Sequence, residues 1–196
     1  SASTADPLLS AQADAEAAGL KALASSTLTG SLSSAKVALV VLPGASDDDV
    51  TAIRSTLTDA GASVVGRVTL TDNWQSTSMS QYRTTLSTTL ASHLASGAAK
   101  TASADGVVGY SIVQVLTTTG AETDLLRQIL TDESTPIMTI DEDANGSATA
   151  LVAVGPRAQA TAASNATPAA VTSNPDAWVG LGQALGSTNG VLVGDA

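Results

Sequence analysis

The chain has 196 residues, enough for one buried core, and its 18 acidic and 8 basic side chains give a net charge of −10. That balance excludes a basic surface for nucleic acid, so we expect no nucleic-acid partner. The chain has no cysteine and no phenylalanine, which excludes disulfides and thiolate ligands and leaves a core of Val, Leu, Ile and Ala.

The first predicted element is an N-terminal helix. It begins at Asp6-Pro7, where a helix cap is followed by proline at the first helical position, and it continues through an alanine-rich stretch to Leu23. A polar connector ends at residue 34. We therefore predict an N-terminal helix and connector over residues 1–34 and an α/β domain over residues 35–196. The helix is either the end of an upstream coiled coil or a docking helix.

Residues 36–74 predict a strand, a helix and a second strand. Residues 37–42 are a run of apolar, mostly β-branched side chains, which is typical of a strand covered on both faces. Ser46 is the predicted N-cap of the helix, three aspartates follow it, and Gly61 ends it. The second strand spans residues 63–71, and we expect it to lie parallel to the first.

Helices are predicted for much of the middle of the chain. Residues 74–94 carry apolar side chains at spacings of three and four, which predicts one amphipathic helix of about five turns. Residues 105–116 are ambiguous on their own, because their β-branched content favours a strand as much as a helix. Residues 122–130 predict a short helix with Leu125 and Leu126 on its buried side.

Two strands, a helix and a last strand complete the prediction. Residues 136–140 and 148–154 predict strands, and the turn signal Asn145-Gly146 between them predicts a hairpin. Residues 157–173 lack periodicity and predict a long exposed loop. A final helix begins at Asn174-Pro175 and ends at Gly186, and residues 190–193 predict the last strand. Trp74 and Trp178 predict either helix-end packing or an interface.

This pattern predicts a single Rossmann-like layered α/β domain with a mostly parallel central sheet flanked by helices, plus the N-terminal helix. The valine run before Pro43, the aspartates at 47–49, Gly61 and the strand that closes at 68–71 resemble the mycobacterial copper transport protein B family of actinobacterial envelope proteins. Residues 190–194 are similar to that family's late core strand. The resemblance implies that residues 105–116 form a helix.

The resemblance also implies a role in copper efflux and resistance. It implies a location on the periplasmic side or in the outer membrane of an actinobacterium-like cell, a pore, and a membrane-anchor helix upstream of Ser1. The longest apolar run, residues 37–42, is far shorter than the ~20 residues of a membrane helix. We therefore predict a soluble envelope domain that forms a pore only with upstream segments or as a homo-oligomer. The alternative is a non-catalytic periplasmic interaction module that binds no copper directly.

Two groups of carboxylates are candidate metal ligands. Asp47, Asp48 and Asp49 follow a strand, at the edge where open α/β sheets bind ligands. Asp141 and Asp143 open the sequence DEDANG, which matches the first half of a calcium loop, although valine stands where that loop needs its bidentate glutamate. Helix capping and an acidic turn are the structural interpretations of the two groups.

Few side chains are candidates for copper binding or catalysis. Copper(I) favours thioether and imidazole ligands, and the chain offers only Met79, Met138 and His93. Met79 and His93 would lie roughly 21 Å apart on one helix. We therefore expect no bound cofactor, with copper only as a transported ion. We expect no enzymatic activity, because residues 109–113 begin like a nucleophile elbow but lack its second glycine.

Overall fold

A computed structural model describes residues 32–157 and 174–194 of the chain. The strands are β1 (Lys36–Val41), β2 (Ser63–Leu70), β3 (Met138–Glu142), β4 (Ala150–Val154) and β5 (Gly190–Val193). The helices are α1 (Asp47–Asp59), α2 (Asp72–Gln75), α3 (Ser80–His93), α4 (Gly97–Lys100), α5 (Ala104–Thr117), α6 (Ala121–Leu130) and α7 (Pro175–Gly186), with a 3-10 turn at Thr77–Met79. The predicted N-terminal helix, and all of the predicted loop except Arg157, lie outside the described residues.

The five strands form one sheet in the order β3-β2-β1-β4-β5. Strands β2, β1, β4 and β5 are parallel to one another, and β3 is antiparallel to β2 at one edge. The mostly parallel sheet flanked by helices is therefore confirmed, and the Rossmann-like description stays a prediction. The larger core lies between the sheet and helices α3, α5, α6 and α7, whereas a smaller core lies under α1 on the opposite face.

The predicted strand–helix–strand unit is confirmed, and local chemistry explains it. Residues 37–42 are all buried, as expected for a strand with cover on both faces. The Ser46 hydroxyl accepts a hydrogen bond from the Asp49 N–H at 3.1 Å and caps α1. Gly61, with φ of 93°, takes the left-handed conformation that lets the chain leave the helix for β2.

The predicted hairpin of residues 136–140 and 148–154 is wrong. Its two strands are separated by β2 and β1, because β3 pairs antiparallel with β2 and β4 pairs parallel with β1. The turn itself exists, with Asn145 and Gly146 both at positive φ. It packs against the end of α5, where the Ala148 N–H donates to the Leu116 carbonyl at 3.1 Å, and so the chain crosses the sheet instead of folding back.

The predicted single helix over residues 74–94 is also wrong, because the helix is interrupted between α2 and α3. Ser76 has an extended conformation with ψ of 132°, which ends α2. The Arg83 guanidinium donates from Nη1 to the carbonyls of Asn73 and Ser76 at 2.9 and 2.7 Å. These bonds connect Arg83 to both sides of the interruption, where the Ser76 carbonyl also accepts the Met79 N–H at 3.1 Å.

Helix α5 settles the ambiguous stretch at residues 105–116 as a helix. It is buried on nearly all sides, among α3, α4, α6 and α7, and this explains its continuous apolar sequence. Helix α6 also matches its prediction, with the difference that Leu125 is exposed while Leu126 is buried. The final helix and the final strand are confirmed as α7 and β5.

Two glycines allow α5 and α7 to approach closely. A Cβ added to Gly109 would lie 2.7 Å from the carbonyl oxygen of Gly180, and one added to Gly180 would lie 2.5 Å from the backbone of Asp105. Both distances are shorter than side chains tolerate, so any larger residue would separate the helices. Gly182 lies on the same helix, and a Cβ there would meet no atom within 4 Å.

This difference predicts opposite effects for one added methyl group. Gly180→Ala should lower the free energy of unfolding by about 1–3 kcal/mol, since the backbones must move apart. Gly182→Ala, the matched control, should raise it by about 0.5–1 kcal/mol through helix propensity. Urea unfolding followed by circular dichroism measures both, and equal effects of the two variants would contradict the close helix contact.

Candidate functional site: paired carboxylates around the sheet

The aspartates at 47–49 lie where the sequence placed them, in the first turn of α1 beyond the carboxyl end of β1. This end of the sheet includes the topological switch point between the paired strands β1 and β4, the usual ligand position in open α/β sheets. Arg157 follows β4 and reaches across this position to α1. Its guanidinium contacts both carboxylate oxygens of Asp49, from Nη2 at 2.5 Å and from Nε at 3.0 Å. Asp48 is exposed on the helix surface.

Arg67 on β2 brings together one candidate from each predicted group. Its Nη2 lies 3.8 Å from the Asp47 carboxylate and its Nε lies 3.4 Å from the Asp141 carboxylate. Asp141 also accepts a hydrogen bond from the Thr69 hydroxyl at 2.6 Å. The two carboxylates therefore share a cation that the chain itself supplies.

Asp143, the second aspartate of the half calcium loop, points elsewhere. One of its carboxylate oxygens accepts the Asn145 N–H at 2.7 Å, which makes an Asx turn, and the other pairs with Arg127 of α6. Asp141 pairs on the α1 side of the sheet, whereas α6 packs on the opposite side. The structure therefore does not bring Asp141 and Asp143 together as calcium ligands would be.

Arg54 and Glu142 form a further pair that the sequence did not predict. The guanidinium of Arg54 on α1 donates two hydrogen bonds to the Glu142 carboxylate of β3, at 2.6 and 2.7 Å. These hydrogen bonds hold the pKa of Glu142 below its ordinary value and raise the pKa of Arg54. The pair ties α1 to the edge strand across β2.

The fifth arginine forms a buried pair. Arg83 of α3 is 1% exposed, and its Nε donates to Asp105 of α5 at 2.9 Å. Sequence reasoning missed this residue, although a signal existed, because Arg83 lies on the same helical stripe as the buried Leu90 and Leu94. Each of the five arginines in the chain thus pairs with at least one carboxylate.

Comparison with known families decides what kind of protein this is. The family described as "Copper transport outer membrane protein, MctB" matches residues 2–196, nearly the whole chain. The chain belongs to the MctB family. The resemblance drawn from residues 36–74 is thereby confirmed, and with it the connection to copper transport and the outer membrane.

The MctB family is one of transport proteins, not a known family of enzymes. No individually curated protein matches the chain. Within residues 32–157 and 174–194, no helix is both long enough and apolar enough to cross a membrane.

The residues that favour copper lie on three different elements of this MctB-family chain. Met138 is fully buried in β3, and Met79 lies in the 3-10 turn before α3. His93 ends α3, where its Nδ1 is hydrogen-bonded to the Glu122 carboxylate of α6. In the part of the chain that the structure describes, no three His, Cys, Asp or Glu side chains are grouped to hold a metal ion.

The two tryptophans pack against each other, with ring centroids 5.8 Å apart and planes inclined at 53°. Trp74 is 1% exposed, and the Trp178 indole N–H donates to the Gln75 side chain at 3.4 Å. The helix-end packing interpretation is therefore confirmed for this pair. The contact between the two tryptophans joins the start of α7 to α2, next to the carboxyl ends of the strands.

The depressed pKa of Glu142 predicts a pH-dependent contribution to stability. The Arg54–Glu142 pair is partly exposed, so Glu142→Gln should lower the free energy of unfolding by only about 0.5–1 kcal/mol at pH 7. The pKa of Glu142 in the folded protein lies below its ordinary value of 4.5. The stability that the pair contributes is therefore complete above pH 4.5, and it is lost as the pH falls through the pKa of the folded protein.

Urea unfolding at several pH values between 7 and about 2 measures this effect. The exposed Glu133 offers the control Glu133→Gln, which should have little effect at any of them. A difference between wild type and Glu142→Gln that persists undiminished at the lowest pH would contradict the assignment.

Proposed function

We propose that this MctB-family chain is the envelope domain of a copper efflux and resistance protein, on the periplasmic side or at the outer membrane of an actinobacterium-like cell. Copper is the transported ion and not a cofactor that the domain holds. The domain contributes to a pore only together with upstream segments or as a homo-oligomer. A membrane-anchor helix upstream of Ser1, as the family resemblance implies, attaches it to the membrane.

The family match supports the role in copper transport. The pairing of carboxylates with arginines is the observation that supports copper as a transported ion and not as a bound cofactor. Of the five candidate metal ligands, Asp47, Asp49, Asp141 and Asp143 each lie within ion-pair distance of an arginine. A metal ion at any of them would compete with a resident guanidinium and its hydrogen bonds. Two further candidate copper ligands are also occupied or covered. His93 is hydrogen-bonded to the Glu122 carboxylate, and Met138 is buried in the core.

The distribution of charge supports assembly into a homo-oligomer. Copies of a chain with a net charge of −10 repel one another, so they should associate through a surface without carboxylates. Residues 177–194 contain no charged side chain, and Val179, Val191 and Leu192 are exposed within them. Exposed apolar side chains within an uncharged stretch favour contact between copies.

Single-channel recording in planar bilayers tests the proposal. The 196-residue chain alone, at dilute concentration, should give no conductance steps, whereas the full-length gene product should give discrete ones. Steps from the dilute chain alone would contradict the requirement for upstream segments or assembly. The absence of conductance steps from both proteins would contradict the proposed pore.

A second candidate function is a non-catalytic interaction module that binds no copper directly, and the same uncharged stretch favours it. This module would associate with itself or with an envelope partner and would move no ions. Sedimentation velocity over a range of protein concentrations detects such association. Association without conductance from the full-length protein would favour this alternative over the pore.

A further inference from the structure

The two edge strands of the sheet differ in what they present to another chain. Strand β3 ends in the exposed Asp141 and Glu142, and its pairing with β2 contains a register shift. Charged side chains and irregular pairing are features that protect the edge of a sheet from a further strand. Strand β5, with the sequence Gly-Val-Leu-Val, is uncharged and pairs with β4 in a regular register. Among the described residues, no strand lies on its outer side.

The outer edge of β5 presents a free backbone donor and a free acceptor at Leu192. The Val193 carbonyl accepts the Gly155 N–H at 2.7 Å, so the backbone groups of Val193 point towards β4. These groups alternate in direction along a strand, and those of Gly190 and Leu192 therefore point away from β4. The Gly190 N–H donates to the Thr188 carbonyl at 2.9 Å. In the part of the chain that the structure describes, the Leu192 N–H and carbonyl have no hydrogen-bond partner.

The side chains of β5 are exposed on both faces of the sheet. Val191 lies beside Val152 on the α1 side and is 58% exposed. Leu192 lies beside Ala153 on the other side and is 38% exposed. Apolar side chains on a strand are stabilised by apolar side chains directly opposite them on the next strand. The backbone and the side chains of β5 therefore both favour pairing with another apolar strand.

The charge of the chain favours a second copy as the source of that strand. Two copies with a net charge of −10 repel each other wherever their carboxylates come close. Residues 177–194, which include most of α7 and all of β5, contain no charged side chain. Two copies that meet along β5 therefore approach each other through residues that do not repel.

We propose that β5 pairs antiparallel with β5 of a second copy, about a two-fold axis that is perpendicular to the sheet and passes beside Leu192. This inference rests on the homo-oligomer of the proposed function and names its interface. The register follows from the backbone, because Leu192 is the β5 residue whose outward N–H and carbonyl are both free. Each Leu192 would donate one hydrogen bond to its counterpart and accept one from it.

The same axis brings the exposed side chains together. Val191 would lie opposite Val193 of the second copy on the α1 side, and Leu192 would lie opposite its own counterpart on the other side. An axis perpendicular to the sheet leaves each face where it is, so the α1 sides of both copies stay together. The five strands of each copy would then form one continuous sheet.

The absence of cysteine from the chain allows this register to be tested with single cysteines in the 196-residue protein. In the proposed pair the two Leu192 Cα atoms lie about 5.5 Å apart, which suits a disulfide. The two Val191 Cα atoms lie roughly 8 Å apart, which is too far. Under mild oxidation, Leu192→Cys should therefore form a disulfide-linked dimer at least about tenfold faster than Val191→Cys, although Val191 is the more exposed.

A charge substitution tests whether this edge holds the copies together. Leu192→Lys places two like charges directly opposite each other and should weaken association at least about tenfold. Leu125→Lys on α6 is the matched control, because Leu125 is 39% exposed and the change in net charge is the same. Sedimentation velocity over a range of protein concentrations measures both variants, and circular dichroism confirms that each one folds.

The outcomes separate the interface from the homo-oligomer. Association of the wild-type chain that Leu192→Lys weakens and Leu125→Lys does not would support the β5 interface. Association with Val191→Cys cross-linking as fast as Leu192→Cys would overturn this interface and leave the homo-oligomer in place. A wild-type chain that stays monomeric at every concentration would overturn both, whereas the conductance of the full-length protein would still decide the pore.

Discussion

The buried ion pair between Arg83 and Asp105 is the interaction on which the helical layer depends. It joins α3 to the first turn of α5, and the same guanidinium holds two carbonyls where the chain breaks between α2 and α3. The backbone of Asp105 lies against Gly180 of α7, so three helices meet at this point. Removing one partner of a buried pair leaves an uncompensated charge, which typically costs about 3–5 kcal/mol. The small residues around the pair allow a core without phenylalanine to pack closely.

Arginine–carboxylate pairing also organises the surface. Arg54 and Glu142 tie α1 to the edge strand, Arg67 links α1 to β3, and Arg157 joins the end of β4 to the start of α1. Most of these pairs are partly exposed, so each contributes modestly to stability. Their larger consequence is chemical, because every candidate metal ligand except Asp48 already pairs with an arginine of the chain.

Much of the fold could be predicted where the signal is local. The apolar run of β1, the Ser46 cap and Gly61 specify a unit that is confirmed, and the same stretch identified the family. The hairpin prediction failed because a turn signal does not specify the strand that each arm pairs with. Burial decides that pairing: β4 carries buried side chains on both faces and is central, whereas β3 carries exposed ones and lies at an edge. The ion pairs of the site could not be predicted from the sequence either, because their partners are far apart along the chain. Arg157, for example, is 108 residues from Asp49.

The central claim is that this domain serves copper transport without holding copper in its own side chains. An anaerobic competition titration of the 196-residue chain with copper(I) against a chromophoric chelator tests it most directly. The account predicts no stoichiometric complex with a Kd below about 1 μM. A one-to-one complex tighter than that, lost on replacing His93 or Met79 by alanine, would contradict it.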